Sequence, residues 1–282
     1  LKRAFTRAAL RALAWNPLSR ATGHLAQWQA PTPVLQAALK RYIRAYRVDE
    51  SEIPQPLQSY RNFNEFFTRP LPEGARPIDS NPEVMVSPVD GFILSDGPVD
   101  GGTLLQVKGV HYALEALVGS AELARRLDGG QHVTVYLSPA CYHRIHSPVD
   151  GVVEGFRYLP GPLYPVNSVA VNNVPGVFAR NERLVVEIQS ENSGLLALVA
   201  VGATNVGSIT ATFDPIRTNQ AGARAVTTRF AEPIPVRRGD ELARFNMGST
   251  VVLVWNNRQM ATVPHSPSEF IRLGAPLGRL TQ

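Results

Sequence analysis

Two histidines stand three residues apart in "CYHRIHSPVDG" (141–151), and imidazole is the side chain whose charge changes near neutral pH. His143 and His146 can therefore divide acid–base work, one taking a proton and the other returning it. On a helix, the same spacing could converge on a metal ion. The stretch instead follows an apolar run and enters a proline turn, with no cysteine pair and no third histidine close by, so proton transfer suits the context better. The pentapeptide that follows occurs twice, as "SPVDG" at 87–91 and at 147–151, and supplies Asp90 and Asp150. Proline presets φ, aspartate accepts turn conformations and glycine takes positive φ. Each copy leads into a β-branched run, so both read as turns into strands, and on spacing alone neither aspartate needs a further task.

A general base needs a nucleophile, and Gly248–Ser249 opens the apolar run "STVVLVW" (249–255). A glycine there marks either a bulge or a place where the backbone must be reached or bent, and the residues alone leave both open. Lysine is scarce: Lys2, Lys40 and Lys108 are the three in the chain. An enzyme built on pyridoxal phosphate needs a lysine for its internal Schiff base, and only Lys108 lies outside the basic N-terminal stretch.

The elements that must position these groups are mostly strands. From Met85 onward, short β-branched runs alternate with Gly, Pro and Asp: "GFILSD", "TLLQVKG", "HVTVYLS", "GVVEGFRYL", "RLVVEIQS", "LLALVAVGA", "VGSITATF" and "STVVLVW". Tyr112–Leu127 interrupts them with helical spacing. The expected class is α+β: a β-rich barrel-like or folded-sheet core, N-terminal amphipathic helices and one internal helical segment. Pro17, Gly23, Pro31 and Pro33 are expected to divide the N-terminal region into short helices. The second, about 34–46, would place Leu35, Leu39, Tyr42 and Tyr46 on one apolar face.

Charge separates this region from the rest. The net charge is +5, yet residues 1–48 hold nine Lys and Arg and no carboxylate, while the remainder carries 19 basic against 23 acidic groups. Arg3, Arg7 and Arg11 form one helical stripe opposite Phe5, Ala9 and Leu13, a pattern that Leu10 interrupts. A basic arm with aromatic residues suits an anionic membrane surface or a nucleic acid; a solvated helix packed on its own domain is the alternative. The core's negative balance and its lack of interleaved stacking residues disfavour nucleic acid. No apolar run is long enough to span a bilayer. The lone Cys141 allows no intramolecular disulfide, so an intracellular setting is expected.

Eight motifs in order resemble the bacterial phosphatidylserine decarboxylases: "FNEFFTRPLPEGARPID" (63–79), "SPVDG" with Asp90, "KGVHYALEALVG" (108–119), "YHRIHSP" (142–148), "LPGPLYPVN" (159–167), "FARNERLVV" (178–186), "VGATNVGSI" (201–209) and "RFNMGSTVV" (244–252). The resemblance implies a proenzyme that cuts itself at Gly248–Ser249 into 1–248 and 249–282. Ser249 then becomes a pyruvoyl group, with neither pyridoxal phosphate nor metal. It implies that Asp90 and His146 complete a charge relay with Ser249, that His143 serves decarboxylation, and that Asp150 is structural. The product group would form a Schiff base with phosphatidylserine and release CO2 to give phosphatidylethanolamine. Met247 stands where the family usually has Leu, and Cys141 where some relatives have Asp. The organisation expected is a membrane-facing arm over 1–48 and a catalytic domain over 49–282. The protein would lie peripherally on the cytoplasmic face of the membrane, as a homodimer of processed protomers. A lipoyl- or biotinyl-type carrier, suggested by "VRRGDELARF", lacks its hairpin lysine, since residues 109–282 contain none. A pyruvoyl decarboxylase acting on a soluble amine, or on a different phospholipid amine, remains the alternative substrate reading.

Overall fold

The computed structural model describes residues 10, 14–107, 110–204, 208–246, 249–266 and 268–281. Lys2, Arg3, Phe5, Arg7, Arg11 and Leu13 of the expected membrane stripe, together with Lys108, Met247 and Gly248, lie outside the described residues. The chain enters through helices α1 (Asn16–Gln27), α2 (Thr32–Tyr46) and α3 (Phe63–Phe67). Pro17 sits in the first turn of α1, where its missing N–H costs nothing. Gly23, expected as a break, is instead inside that helix.

Strands follow: β1 (Val84–Val86), β2 (Gly91–Pro98), β3 (Thr103–Val107) and β4 (Val110–Ala113). The expected helix 112–127 begins two residues later and is split, because Gly119 at φ 68° ends α4 (Leu114–Val118) before Ser120 caps α5 (Ala121–Leu127). Next come β5 (Gln131–Leu137), β6 (Arg144–His146), β7 (Gly151–Leu159), α6 (Ser168–Asn173), α7 (Val177–Arg180), β8 (Arg183–Ser190), β9 (Gly194–Gly202) and β10 (Ser208–Ala211). The chain ends through β11 (Val226–Val236), β12 (Glu241–Asn246), β13 (Ser249–Trp255), β14 (Met260–Thr262), β15 (Phe270–Ile271) and β16 (Pro276–Leu280).

The largest sheet is antiparallel, in the order β11-β7-β8-β9-β13-β5-β2-β15, and none of the sheets closes among the described residues, so the core is a folded set of sheets and no barrel. Its centre is buried on both faces. Along β13, Val251, Leu253 and Trp255 enter one hydrophobic cluster, and Val252 and Val254 enter another. This accounts for the unbroken apolar text of the strand, since alternate residues face opposite cores. The first core lies against the small sheets β10-β12-β6 and β1-β16-β14, the second against α4 to α7. Leu10, the residue that breaks the amphipathic stripe, is buried in that second core with Ala14. The basic arm is therefore partly a packing element. On α2, Leu35, Leu39 and Ile43 pack with Tyr60 and Phe66, whereas Tyr46, expected on the apolar face, is exposed.

The two SPVDG turns meet face to face. Val86 N–H donates to Pro148 O at 3.0 Å, and His146 N–H donates to Pro88 O at 2.9 Å. Within each turn, the serine hydroxyl donates to the valine carbonyl two residues on, at 2.7 Å in both. Each turn also receives a clasp from a later segment: Gly274 N–H to Ser87 O at 3.0 Å, and Gly239 N–H to Ser147 O at 2.9 Å. Both clasp glycines have positive φ, 86° and 89°. Ile78 is wedged against both, and a Cβ on Gly274 would come within 2.5 Å of Pro77 O. Gly274→Ala is expected to cost about 2 kcal/mol more than Gly222→Ala. Both incur left-handed strain, but only the former meets backbone. Urea unfolding of the two variants checks this, and equal losses would mean that the clasp can relax.

Candidate active site

The turns carry the acidic and basic groups to one region. Asp90 is 1% exposed. Arg76 Nε donates to its Oδ1 at 2.8 Å, Arg76 Nη2 donates to Oδ2, and Leu273 N–H donates to Oδ1 at 2.8 Å. Arg76 Nη2 also donates to Glu52 Oε1 at 2.6 Å, so one guanidinium serves two carboxylates. Burial alone would lower the Arg76 pKa, but the hydrogen bonds and charges of Asp90, then of Glu52, outweigh it and raise it. Asp150, in the equivalent turn, accepts from Arg238 N–H at 3.0 Å and from Arg238 Nη2 at 3.2 Å, with its side chain largely in solvent. The same turn thus holds a buried carboxylate in one copy and an exposed one in the other.

His146 is oriented by backbone. Its Nδ1 lies 2.7 Å from Gly239 O, and since a carbonyl only accepts, Nδ1 carries the proton. Nε2 is then the acceptor, and Tyr142 O–H donates to it at 2.9 Å. Burial raises the Tyr142 pKa and keeps that phenol a donor. Burial also lowers the His146 pKa, against the opposing pull of the Gly239 carbonyl and the Glu241 charge. The result is a neutral imidazole with its basic nitrogen occupied by a phenol. Asp90 and His146 share no hydrogen bond; they are linked through Pro88 O, which holds the His146 backbone.

His143 is fully buried, its ring centroid 3.9 Å from that of Phe67. Burial pushes its pKa down to about 3, and the Arg69 charge adds to this. The Cys141 carbonyl opposes burial, more than the Arg69 charge adds to it, although no well-formed hydrogen bond reaches either ring nitrogen. Ser249 begins β13 with Leu137 of β5 on one side and Gly202 of β9 on the other. The loop leaving Leu137 runs directly to His143, whose carbonyl accepts from Phe245 N–H at 3.0 Å on the segment leading into 247–248. The loop is therefore tied at one end to Leu137, the partner of Ser249, and at the other to Phe245 of β12. Cys141, on the same loop, is 3.2 Å from Ser138 Oγ, and burial pushes its thiol up to about 11.

Among the described residues, no group of three or more His, Cys, Asp or Glu could hold a metal ion. His143 and Arg69 both carry buried side-chain nitrogens without a well-formed partner, the kind of donor a carbonyl group would accept from. Motif reading from the sequence missed Arg76, Tyr142 and Gly239. The first two lie inside the quoted motifs, and Gly239 lies in the segment set aside as carrier-like.

An imidazole fixed by a carbonyl, a second buried imidazole and a serine that opens a strand of a layered antiparallel scaffold are groups that can move protons, as an enzyme site requires. The sequence pattern of the family described as phosphatidylserine decarboxylase matches residues 63–279, and the chain belongs to that family. It is 47% identical over 273 residues to the phosphatidylserine decarboxylase proenzyme of Anaeromyxobacter sp. (strain K), covering 96% of each chain. It is 40% identical over 267 residues to the proenzyme of Myxococcus xanthus (strain DK1622), covering 94% of this chain and 95% of that one. With the proenzyme of Brevibacillus brevis (strain 47 / JCM 6285 / NBRC 100599) the identity is 43% over 246 residues, 87% of this chain and 86% of that one.

The low pKa of His143 has a measurable consequence. In the unfolded chain a histidine titrates near about 6.5, and in the fold this one stays neutral down to about 3. Its contribution to stability is therefore complete above the unfolded pKa and is lost as pH falls toward the folded one. His143→Leu should make the fall of unfolding free energy between about pH 6 and 4 shallower by about 1.4 kcal/mol per pH unit. Urea titrations at several pH values measure the slope, and an unchanged slope would mean that the ring takes up a proton in the fold.

Proposed function

We propose that this chain is a phosphatidylserine decarboxylase proenzyme that cuts itself between Gly248 and Ser249 and makes its own pyruvoyl group from Ser249. Family membership supports the reaction. The observation that carries the site is the register of β13, which starts at Ser249 beside the His143 loop. In the reading proposed, Tyr142 O–H yields its place at His146 Nε2 to the Ser249 hydroxyl, Nε2 takes the serine proton, and Oγ attacks the Gly248 carbonyl. The peptide C–N bond breaks, the residue 249 amine takes the proton, and the amide becomes an ester. Loss of the Cα proton expels the Gly248 acyl group as a carboxylate and leaves dehydroalanine. Tautomerisation and addition of water then release ammonia, giving the keto group at the head of 249–282.

Once formed, that keto group supplies the electron sink for loss of CO2 from an amino acid α-carbon. The chain's own part is to place protons. His146 is held in the base tautomer by Gly239, and Asp90 acts on it by fixing the Pro88 turn while Arg76 neutralises its charge. His143 is the group proposed to return a proton to the α-carbon. It is neutral where burial excludes water, so its donor role begins when substrate brings a negative charge and a proton into the site.

The same proposal includes a membrane surface, a cytoplasmic and peripheral location, and a homodimer. No helix of the described residues is long and apolar enough to cross a membrane. Trp15, Leu25 and Trp28 are exposed around α1, and Lys40, Arg41 and Arg44 line a basic surface of α2. Aromatic and cationic groups together suit anionic headgroups. The outer edge of β11 ends the large sheet and supports pairing between copies.

Ser249→Ala should remain one uncut chain without activity, and His146→Ala and Asp90→Asn should also stay uncut, while Asp150→Asn matures. Intact mass gives the answer through the 249–282 fragment; its appearance in Ser249→Ala, or its absence from folded Asp150→Asn, would defeat the assignment. His143→Ala should still be cut yet turn over about 10²- to 10⁴-fold more slowly. If it failed to cut, the two histidines would share one role. Replacing Lys40, Arg41 and Arg44 by glutamine should weaken binding to phosphatidylserine vesicles at least about tenfold at low salt and by less at high salt. Flotation assays measure this, and equal binding would assign the membrane to another face.

A further inference from the structure

A cavity of about 320 Å³ lies between α1 and the segment after β10. Arg20, His24 and Gln27 line it from α1, and Ser208, Arg217 and Asn219 line it from the core. No carboxylate is among its lining residues. Arg217 spends Nε on Ser208 Oγ at 3.2 Å, and its terminal nitrogens have no protein partner among the described residues. Arg20 is in no ion pair among them either.

The floor of the cavity is unusual. Asn219 is 4% exposed, yet both polar atoms of its side-chain amide lack a partner. Its backbone sits at φ 58°, held there by Glu182, whose Oε1 accepts from Asn219 N–H and from Tyr158 O–H. A buried amide left unpaired is destabilising, and this one lines the cavity. The fold fixes the residue in a left-handed conformation and leaves its donors to something that enters.

The cavity is also close to the reacting residue. Ser208 pairs with Asn246, three residues before Ser249, which puts Ser208 within roughly 15 Å of Ser249. From the other side, Glu182 O accepts from Gly202 N–H at 2.8 Å, and Gly202 pairs with Ser249. Two guanidinium groups and an amide match the oxygens of a phosphodiester, while the charge of Arg20 also acts on the buried Glu182 behind Asn219. In phosphatidylserine the phosphodiester is separated from the reacting amine by two carbons and an oxygen, so one short headgroup carries both the reacting amine and the anion. The opposite face of α1 carries exposed Leu18 and Leu25, with Trp15 and Trp28 near its ends, a side suited to acyl chains.

We infer that Arg20, Arg217 and the Asn219 amide bind the phosphodiester of the lipid headgroup, with Glu182 as the positioning residue for Asn219; this rests on the decarboxylase reading above. The test uses the processed full chain with short-chain soluble phosphatidylserine, and with glycerophosphoserine and inorganic phosphate as competing probes. Arg20→Gln and Arg217→Gln should each raise KM about tenfold or more, the loss expected of a charged hydrogen bond, with a smaller change in kcat. Asn219→Asp, similar in size and tolerant of the same φ, should do the same by repulsion, and it decides the matter if an arginine variant fails to fold. Glycerophosphoserine should inhibit the parent and lose that effect in the variants. Unchanged KM in all three variants would overturn the inference. So would inhibition of the parent by inorganic phosphate equal to that by glycerophosphoserine, which would make the cavity a free-phosphate site. A parent that yields neither the 249–282 fragment nor CO2 refutes the decarboxylase reading instead, and calorimetry of glycerophosphoserine with parent and variants then still decides the cavity.

Discussion

The reciprocal hydrogen bonds between the two SPVDG turns are the constraint on which the rest of the site depends. Val86 to Pro148 and His146 to Pro88 lock the starts of β2 and β7 against each other across sixty residues of sequence. The bonds are between backbone groups, so they fix position whatever the flanking side chains are. That freedom lets two copies of one pentapeptide take different work. The residue before the serine is Val86 in one copy, inside the core, and His146 in the other, at the site. The aspartate is buried on Arg76 in the first and solvent-facing on Arg238 in the second.

Buried charge follows from this arrangement. An unpaired carboxylate at the position of Asp90 would be strongly destabilising, and the fold brings both Arg76 and the Leu273 N–H to it. Glu52 completes the group from the N-terminal side. The guanidinium therefore ties the segment after α2 to the first turn, and the turn to His146. Charge compensation and positioning of the base are one structure, so a change at Asp90 acts on the imidazole through the backbone as well as through its field.

Much of this was legible in the sequence. All eight β-branched runs are strands, because alternating or doubly buried residues leave a strong pattern. β11 was not legible: Pro233 and Pro235 and a mostly exposed surface disguise an edge strand, a place where a sheet tolerates proline. His143, His146, Asp90 and Ser249 could be named from motif order. Their partners could not. The Gly239 carbonyl that sets the His146 tautomer lies 93 residues away and offers only backbone, which has no signature in the text. The sequence names Asp90 as the companion of His146, but the oxygens of Asp90 go to Arg76 and Leu273. Side-chain identity reveals which groups can react; pairing geometry decides which of them meet.

The N-terminal region shows how one helix can serve two environments. On α1, residues 20, 24 and 27 share the face toward the core cavity, and Leu18 and Leu25 lie about half a turn around. A helix packed on one side only would bury its apolar stripe and expose its cations. Here part of the apolar stripe is exposed and Arg20 turns inward, an inversion that is costly in water alone. It becomes favourable when the exposed stripe meets acyl chains and the inward cation meets an anion drawn from the same lipid. Leu10 and Ala14, buried in the second core, anchor the segment that leads into this helix. In the proposed reading α1 is a wall of the site, with membrane contact and substrate contact on opposite faces of about three turns of helix.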